Sequence, residues 1–192
     1  VLFTGAGART LPVLTLPRPA GDIAVATWSG DDSLSGSWLW YVSEDGTEIV
    51  RVALERGAET ITRVDGRVLA MSEQQWMGEG RVQALVHTRL VLRVLEWDLT
   101  SPHLEPVEVA LHDLLEPGIE PPFLPGTRVA PYYESAAILA RTAGGSYLLL
   151  PGSTSQLPED DHGARIAGLV SSPQSLFLLR HSDTQGWTWI SL

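Results

Sequence analysis

The chain of 192 residues contains no cysteine. Disulfides and thiolate metal sites are therefore excluded, while the redox compartment stays open. Lysine and asparagine are absent as well, and arginine supplies all 13 basic side chains. The AT-rich codons of the two missing residues point to a high-GC, bacterial kind of genome. Positive charge is scarce: 23 acidic residues leave a formal net charge of −10. Such a surface repels phosphate backbones, so nucleic acid is not expected as a partner. No apolar run reaches the roughly 20 residues of a membrane-spanning helix, and no signal-peptide pattern opens the chain. It starts at Val1 without an initiator methionine, as expected of a processed mature form or an excised piece. What is present is ordinary globular material, 44% hydrophobic and 19% charged, read as a single all-β domain over 1–192.

The opening "VLFTGAGARTLPVL" imitates the glycine loop of a dinucleotide-binding unit, with Gly5 and Gly7 in register. That loop needs a third glycine, where Thr10 stands, and a helix after it. Pro12, Pro17 and Pro19 remove donors and would clash with the preceding turn. Two extended segments joined by a Gly-rich turn fit better, and no cofactor is expected.

Strand signals dominate the rest. Apolar segments rich in Val, Ile, Leu, Trp and Tyr alternate with Gly, Pro, Ser and Asp clusters, as short strands and turns require. "PVEVALHDLL" and "MSEQQWMGEG" are compatible with short helices, but neither is long enough to make a helical layer. Four hairpin-like stretches recur: "SWLWYVSEDGTEIVRVAL", "RVQALVHTRLVLRVLEW", "AAILARTAGGSYLLLPG" and "SLFLLRHSDTQGWTWISL". Each is preceded by a further strand candidate, starting at 22, 67, 127 and 164, and three are followed by a fourth, from Glu59, Pro106 and Ser153. Four-stranded units of about 40–50 residues resemble the blades of a β-propeller. The "LWYVSEDGTEIVRV" segment resembles, in general style, the blades of TolB-like bacterial propellers. The resemblance implies about four four-stranded blades, or part of a larger propeller; a β-sandwich is the alternative. The last unit stops after its third strand, so N-terminal residues are expected to complete the C-terminal blade and cover its edge. The Pro-rich stretch over 113–126 is expected to be an inserted loop protruding from the rim.

Chemistry is harder to find. "HSDTQGWTW" resembles the Asp-box turn of sialidase-type propellers, with Asp183 one position early; that box is structural, not catalytic. "PEDDHG" gathers Glu159, Asp160, Asp161 and His162, and "WSGDDSLSGS" holds Asp31 and Asp32; both read as solvated loops without the ligand alternation of a calcium loop. The five histidines show no metal-binding spacing, and no G-x-S-x-G elbow is present. No catalytic, metal or cofactor residue is therefore assigned.

Seven tryptophans remain, among them the pairs Trp38/Trp40 and Trp187/Trp189. An i, i+2 spacing puts each pair on one face of a strand, and core packing is the expectation for both. Exposed, such a pair would form a platform for a sugar ring or a partner's apolar side chain. Trp76, in polar surroundings, and Tyr132, Tyr133 and Phe123, near the insertion, are the candidate binding residues. The expected function is a non-catalytic binding or scaffold module for a protein or peptide, possible as a subunit of a larger assembly. The alternative is a secreted glycan-active hydrolase or a carbohydrate-binding propeller.

Overall fold

The computed structural model describes residues 16–27, 36–76, 79–99, 105–115, 118–157, 165–172, 175–182 and 186–192. Among them are fifteen strands and no helix. The first sheet holds β1 (Ala20–Thr27), β2 (Trp38–Ser43), β3 (Glu48–Ala53) and β4 (Glu59–Arg63), and the second β5 (Arg67–Trp76), β6 (Glu79–Thr88), β7 (Val91–Asp98) and β8 (Val107–Asp113). The third holds β9 (Arg128–Tyr132), β10 (Ser135–Thr142), β11 (Gly145–Leu150) and β12 (Ser153–Leu157). The fourth has three strands, β13 (Arg165–Ser172), β14 (Ser175–Ser182) and β15 (Gly186–Ser191). Every neighbouring pair is antiparallel and every sheet is a meander in chain order. Of the two stretches compatible with helix, Val107–Asp113 is strand β8 and residues 71–76 are the end of β5, pairing with β7 and β6.

The turns follow from local chemistry. Between β2 and β3, Asp45 Oδ1 accepts from the Ser43 hydroxyl at 2.5 Å and from the Thr47 amide at 3.0 Å. Those bonds, the Ser43 hydroxyl first, hold the Asp45 carboxyl below its ordinary pKa. Gly46 then takes φ +78°, a value that costs glycine little. Between β4 and β5, Gly66 has φ +135°, and a Cβ there would lie 2.3 Å from the His87 carbonyl oxygen. Only glycine lets the second sheet begin so close to β6.

The sheets stack face to face. Trp40, Val42 and Ile49 of the first meet Val82, Ala84 and Val86 of the second, and the Trp40 and Trp97 rings lie 5.5 Å apart. On the second sheet's other face, Leu85, Leu92 and Val94 meet Val129, Ala136 and Ile138 of the third. The third turns Ala137, Leu139 and Leu148 to Leu169, Leu176 and Leu178 of the fourth. The two middle sheets are thus covered on both faces, which a two-layer sandwich does not allow. The first strands of successive sheets also lie side by side, β1 by β5, β5 by β9 and β9 by β13. That is a propeller-like arrangement of four sheets. Among the described residues, β13 and β1 make no comparable approach.

The two tryptophan pairs part company. Trp40 is 1% exposed, whereas Trp187 and Trp189 are 62% and 60% exposed, correcting the expectation that both pairs fill the core. The reason is register: Trp187 and Trp189 stand opposite His181 and Leu179, on the face of the fourth sheet turned away from the third. Trp40→Ala should therefore cost about 3–5 kcal/mol, and Trp189→Ala only about 0.5 kcal/mol. Urea unfolding followed by circular dichroism checks the contrast; equal losses would refute this account of the packing.

Candidate functional site

The starts of the first strands of three successive sheets gather at one end. β1 contributes Gly21 and Asp22, β5 contributes Arg67, and β9 contributes Arg128 to a cleft of about 830 Å³. The β2–β3 turn closes one side with Glu44, the end of β6 adds His87, and the Pro-rich loop closes another with Phe123. Asp22, Arg67 and Arg128 are exposed. The cleft so combines cations, carboxylates and an apolar wall, the mixture usual in ligand clefts.

The loop is held against the body. Leu114 and Ile119 are each 2% exposed and join the core between the second and third sheets. The Leu124 amide donates to the Arg141 carbonyl at 2.7 Å, and the Thr127 hydroxyl to the Leu124 carbonyl at 3.0 Å. Arg141 Nη1 reaches the Pro125 carbonyl at 3.3 Å, and the Pro121–Pro122 bond is cis. The expected protrusion is thereby replaced by a wall folded onto the protein, with buried Ile119 as its anchor. Phe123 is half-buried, its ring edge-on to His87 with centroids 5.0 Å apart. His87 Nε2 lies 2.9 Å from the Arg89 carbonyl; a carbonyl only accepts, so Nε2 carries a proton.

The other candidate residues lie at the opposite end, where β5 and β9 finish. Tyr132 is half-buried and Tyr133 is 69% exposed, their rings 4.7 Å apart at 76°. The backbone of Trp76 ends β5 opposite Glu79; its side chain lies outside what is described. Phe123 and the tyrosine pair therefore belong to different surfaces. Beneath the tyrosines, Gln83 Nε2 donates to Glu96 Oε2 at 2.7 Å and to the Ser135 carbonyl at 3.1 Å. Arg81 Nη1 lies 3.6 Å from Glu96 Oε1 and 3.4 Å from the Tyr133 carbonyl. Gln83 is wholly buried, so this network ties the second sheet to the β9–β10 turn.

A second hollow of about 650 Å³ lies between β8 and the β11–β12 turn, lined by His112, Asp113, Ser135 and Pro151 among others. Burial pushes the His112 imidazole below its ordinary value. The sequence motifs around Gly5, Asp31 and Glu159, and residues 183–185 of the motif around Asp183, fall outside the described residues. Among the described residues, no three His, Cys, Asp or Glu side chains group as metal ligands. No family model matches the chain, and no curated protein is significantly similar to it.

Asp22, Arg67, His87 and Arg128 were not singled out by motif. For Asp22, Arg67 and Arg128 the signal was positional, charged residues near the start of the first strand of successive units; His87, at the end of β6, carried none. Two outcomes test the local account. Gln83→Ala should lower stability by about 1–3 kcal/mol, because it leaves Glu96 and the Ser135 carbonyl short of a buried donor; urea titration measures it. His112 is neutral-favouring when folded, so its contribution is complete above about pH 6.5 and is lost as pH falls towards the lowered folded value. His112→Gln should flatten that acid-side decline in thermal melts run across pH 7.5 to 5.

Proposed function

We propose that the chain is a non-catalytic binding module whose sheets are blades of a β-propeller, and that the cleft at the first-strand starts takes a peptide segment of a partner protein. One observation carries this reading. The cleft sets Arg67, His87 and Arg128 against Asp22 and Glu44 beside an apolar wall with Phe123 in it. Mixed charge next to an apolar surface suits a polypeptide, which offers both signs of side chain and a backbone to hydrogen-bond. A polyanion would meet the carboxylates and the net charge of −10. Loops fixed on a rigid sheet scaffold are where binding residues concentrate, and this loop is fixed by its own buried anchor.

The test is selection from a random peptide library on the intact chain, with affinities measured by calorimetry. Phe123→Ser, and separately Arg67→Ala with Arg128→Ala, should each weaken the selected peptides at least tenfold. Trp189→Thr, remote from the cleft, should leave them unchanged. Peptides indifferent to the cleft substitutions would refute the proposal. Glycans that bind the wild type and are lost with the same substitutions would favour a carbohydrate-binding module instead.

A further inference from the structure

The charges of the cleft are sorted by sheet. Asp22 at the start of β1 and Glu44 in the β2–β3 turn put carboxylates on the first sheet. Arg67 at the start of β5 and Arg128 at the start of β9 put guanidiniums on the second and third. β1 lies beside β5, and β5 beside β9, so the cleft runs from an acidic end to a basic one. All four side chains are exposed.

These opposite charges share one cleft and do not pair. Elsewhere Arg18, Arg56, Arg63, Arg81 and Arg93 each have a carboxylate within 3.8 Å. Among the described residues, neither Arg67 nor Arg128 joins such a pair, and neither Asp22 nor Glu44 meets a cation in one. With 23 acidic side chains to 13 basic ones, partners are not scarce; the fold holds the two signs apart.

The backbone that carries them is tied down. The Val68 amide donates to the Gly46 carbonyl at 2.9 Å, and the Glu44 amide to the Pro19 carbonyl at 3.3 Å. A Cβ on Gly46 would lie 2.9 Å from Arg67 Cγ, so the Arg67 stem is seated on the β2–β3 turn. Arg128 follows Thr127, whose amide and hydroxyl both donate to the Leu124 carbonyl. Arg128 Nη1 donates to the Thr127 carbonyl at 3.0 Å. Charges fixed before a ligand arrives cost less ordering when it binds.

Resting on the peptide reading above, we infer that the cleft selects a segment carrying both signs of charge. Its carboxylate lies on Arg67 and Arg128, and its lysine or arginine lies at Asp22 and Glu44. A guanidinium presents paired N–H donors that match the two oxygens of a carboxylate. That carboxylate comes from an acidic side chain or from the partner's C-terminus. A wholly acidic segment would be repelled at Asp22 and Glu44, and a wholly basic one at Arg67 and Arg128. The same repulsion disfavours a two-signed segment laid in reverse, so the cleft fixes the ligand's direction as well as its composition.

The test starts from peptides selected on the intact chain from a random library. Each is resynthesised with one change at a time: an Asp or Glu as its amide, the C-terminus amidated, or a Lys or Arg made neutral. Calorimetry compares wild type with the Arg67→Gln, Arg128→Gln chain and with the Asp22→Asn, Glu44→Gln chain. Removing the critical carboxylate should weaken binding to wild type about tenfold, but to the arginine variant less than about twofold. Removing the cation should behave in the same way towards the carboxylate variant. Sensitivity to C-terminal amidation assigns the carboxylate to the terminus, and sensitivity to one side-chain amide assigns it there; both support the inference. Peptides that depend on Phe123 but bind wild type equally well with every charge removed would overturn it and leave the peptide reading standing. That comparison needs no altered charge in the protein, so it decides even if a variant fails to fold. A library that yields no peptide, or peptides indifferent to Phe123→Ser and to both charge variants, ends the peptide reading and this inference together.

Discussion

The fold depends on apolar sheet faces sealing one another in succession. A single antiparallel sheet of this size has two faces and can keep only one polar by alternation. The second and third sheets keep neither: β10 is buried along Ala136–Ala140 without a break, and Leu85 and Val86 are buried on opposite faces of β6. Such sheets cannot persist alone, because each would expose two hydrophobic surfaces. Stability therefore resides in nearest-neighbour contacts, the regime of repeat proteins, where each unit is held by the units beside it.

Apolar contact is not directional, and polar groups set the register between sheets. The buried amide of Gln83 spans from Glu96 on its own sheet to the Ser135 carbonyl on the next. Within the first sheet the half-buried guanidinium of Arg51 lies 4.3 Å from the Trp38 ring centroid and bonds Thr60 at 3.2 Å. A cation over an aromatic face is favourable even when partly dehydrated. The Gln83 amide would be costly to leave unpaired, so a slip of the second sheet against the third meets a penalty that hydrocarbon packing alone would not impose.

Much of this was legible in the residues. Strand candidates at 22, 67, 127 and 164 became β1, β5, β9 and β13, because turn residues and β-branched runs mark boundaries locally. The last unit's three strand candidates are likewise the described strands of the fourth sheet, and residues 1–15, expected to help complete it, lie outside the described residues. What a linear pattern does not carry is which face meets a neighbour. Trp38/Trp40 and Trp187/Trp189 share one spacing and differ only in what packs on them. The insertion over 113–126 hid its buried Leu114 and Ile119 among prolines that signal only a turn. The cleft was missed because Asp22, Arg67 and Arg128 are far apart in sequence and converge only when the first strands align.

The fourth sheet shows how pattern and environment can disagree. "SLFLLRHS" and "GWTWIS" place apolar side chains on both faces of β14 and β15, much as "SAAILART" does in β10. Yet burial in β15 alternates residue by residue, while in β10 it runs unbroken. A strand composed for two dry faces but holding only one is a local conflict of the sort that natural sequences confine to functional positions. Solubility alone would be served by Thr or Ser at the outward sites, at little cost in strand propensity for Thr.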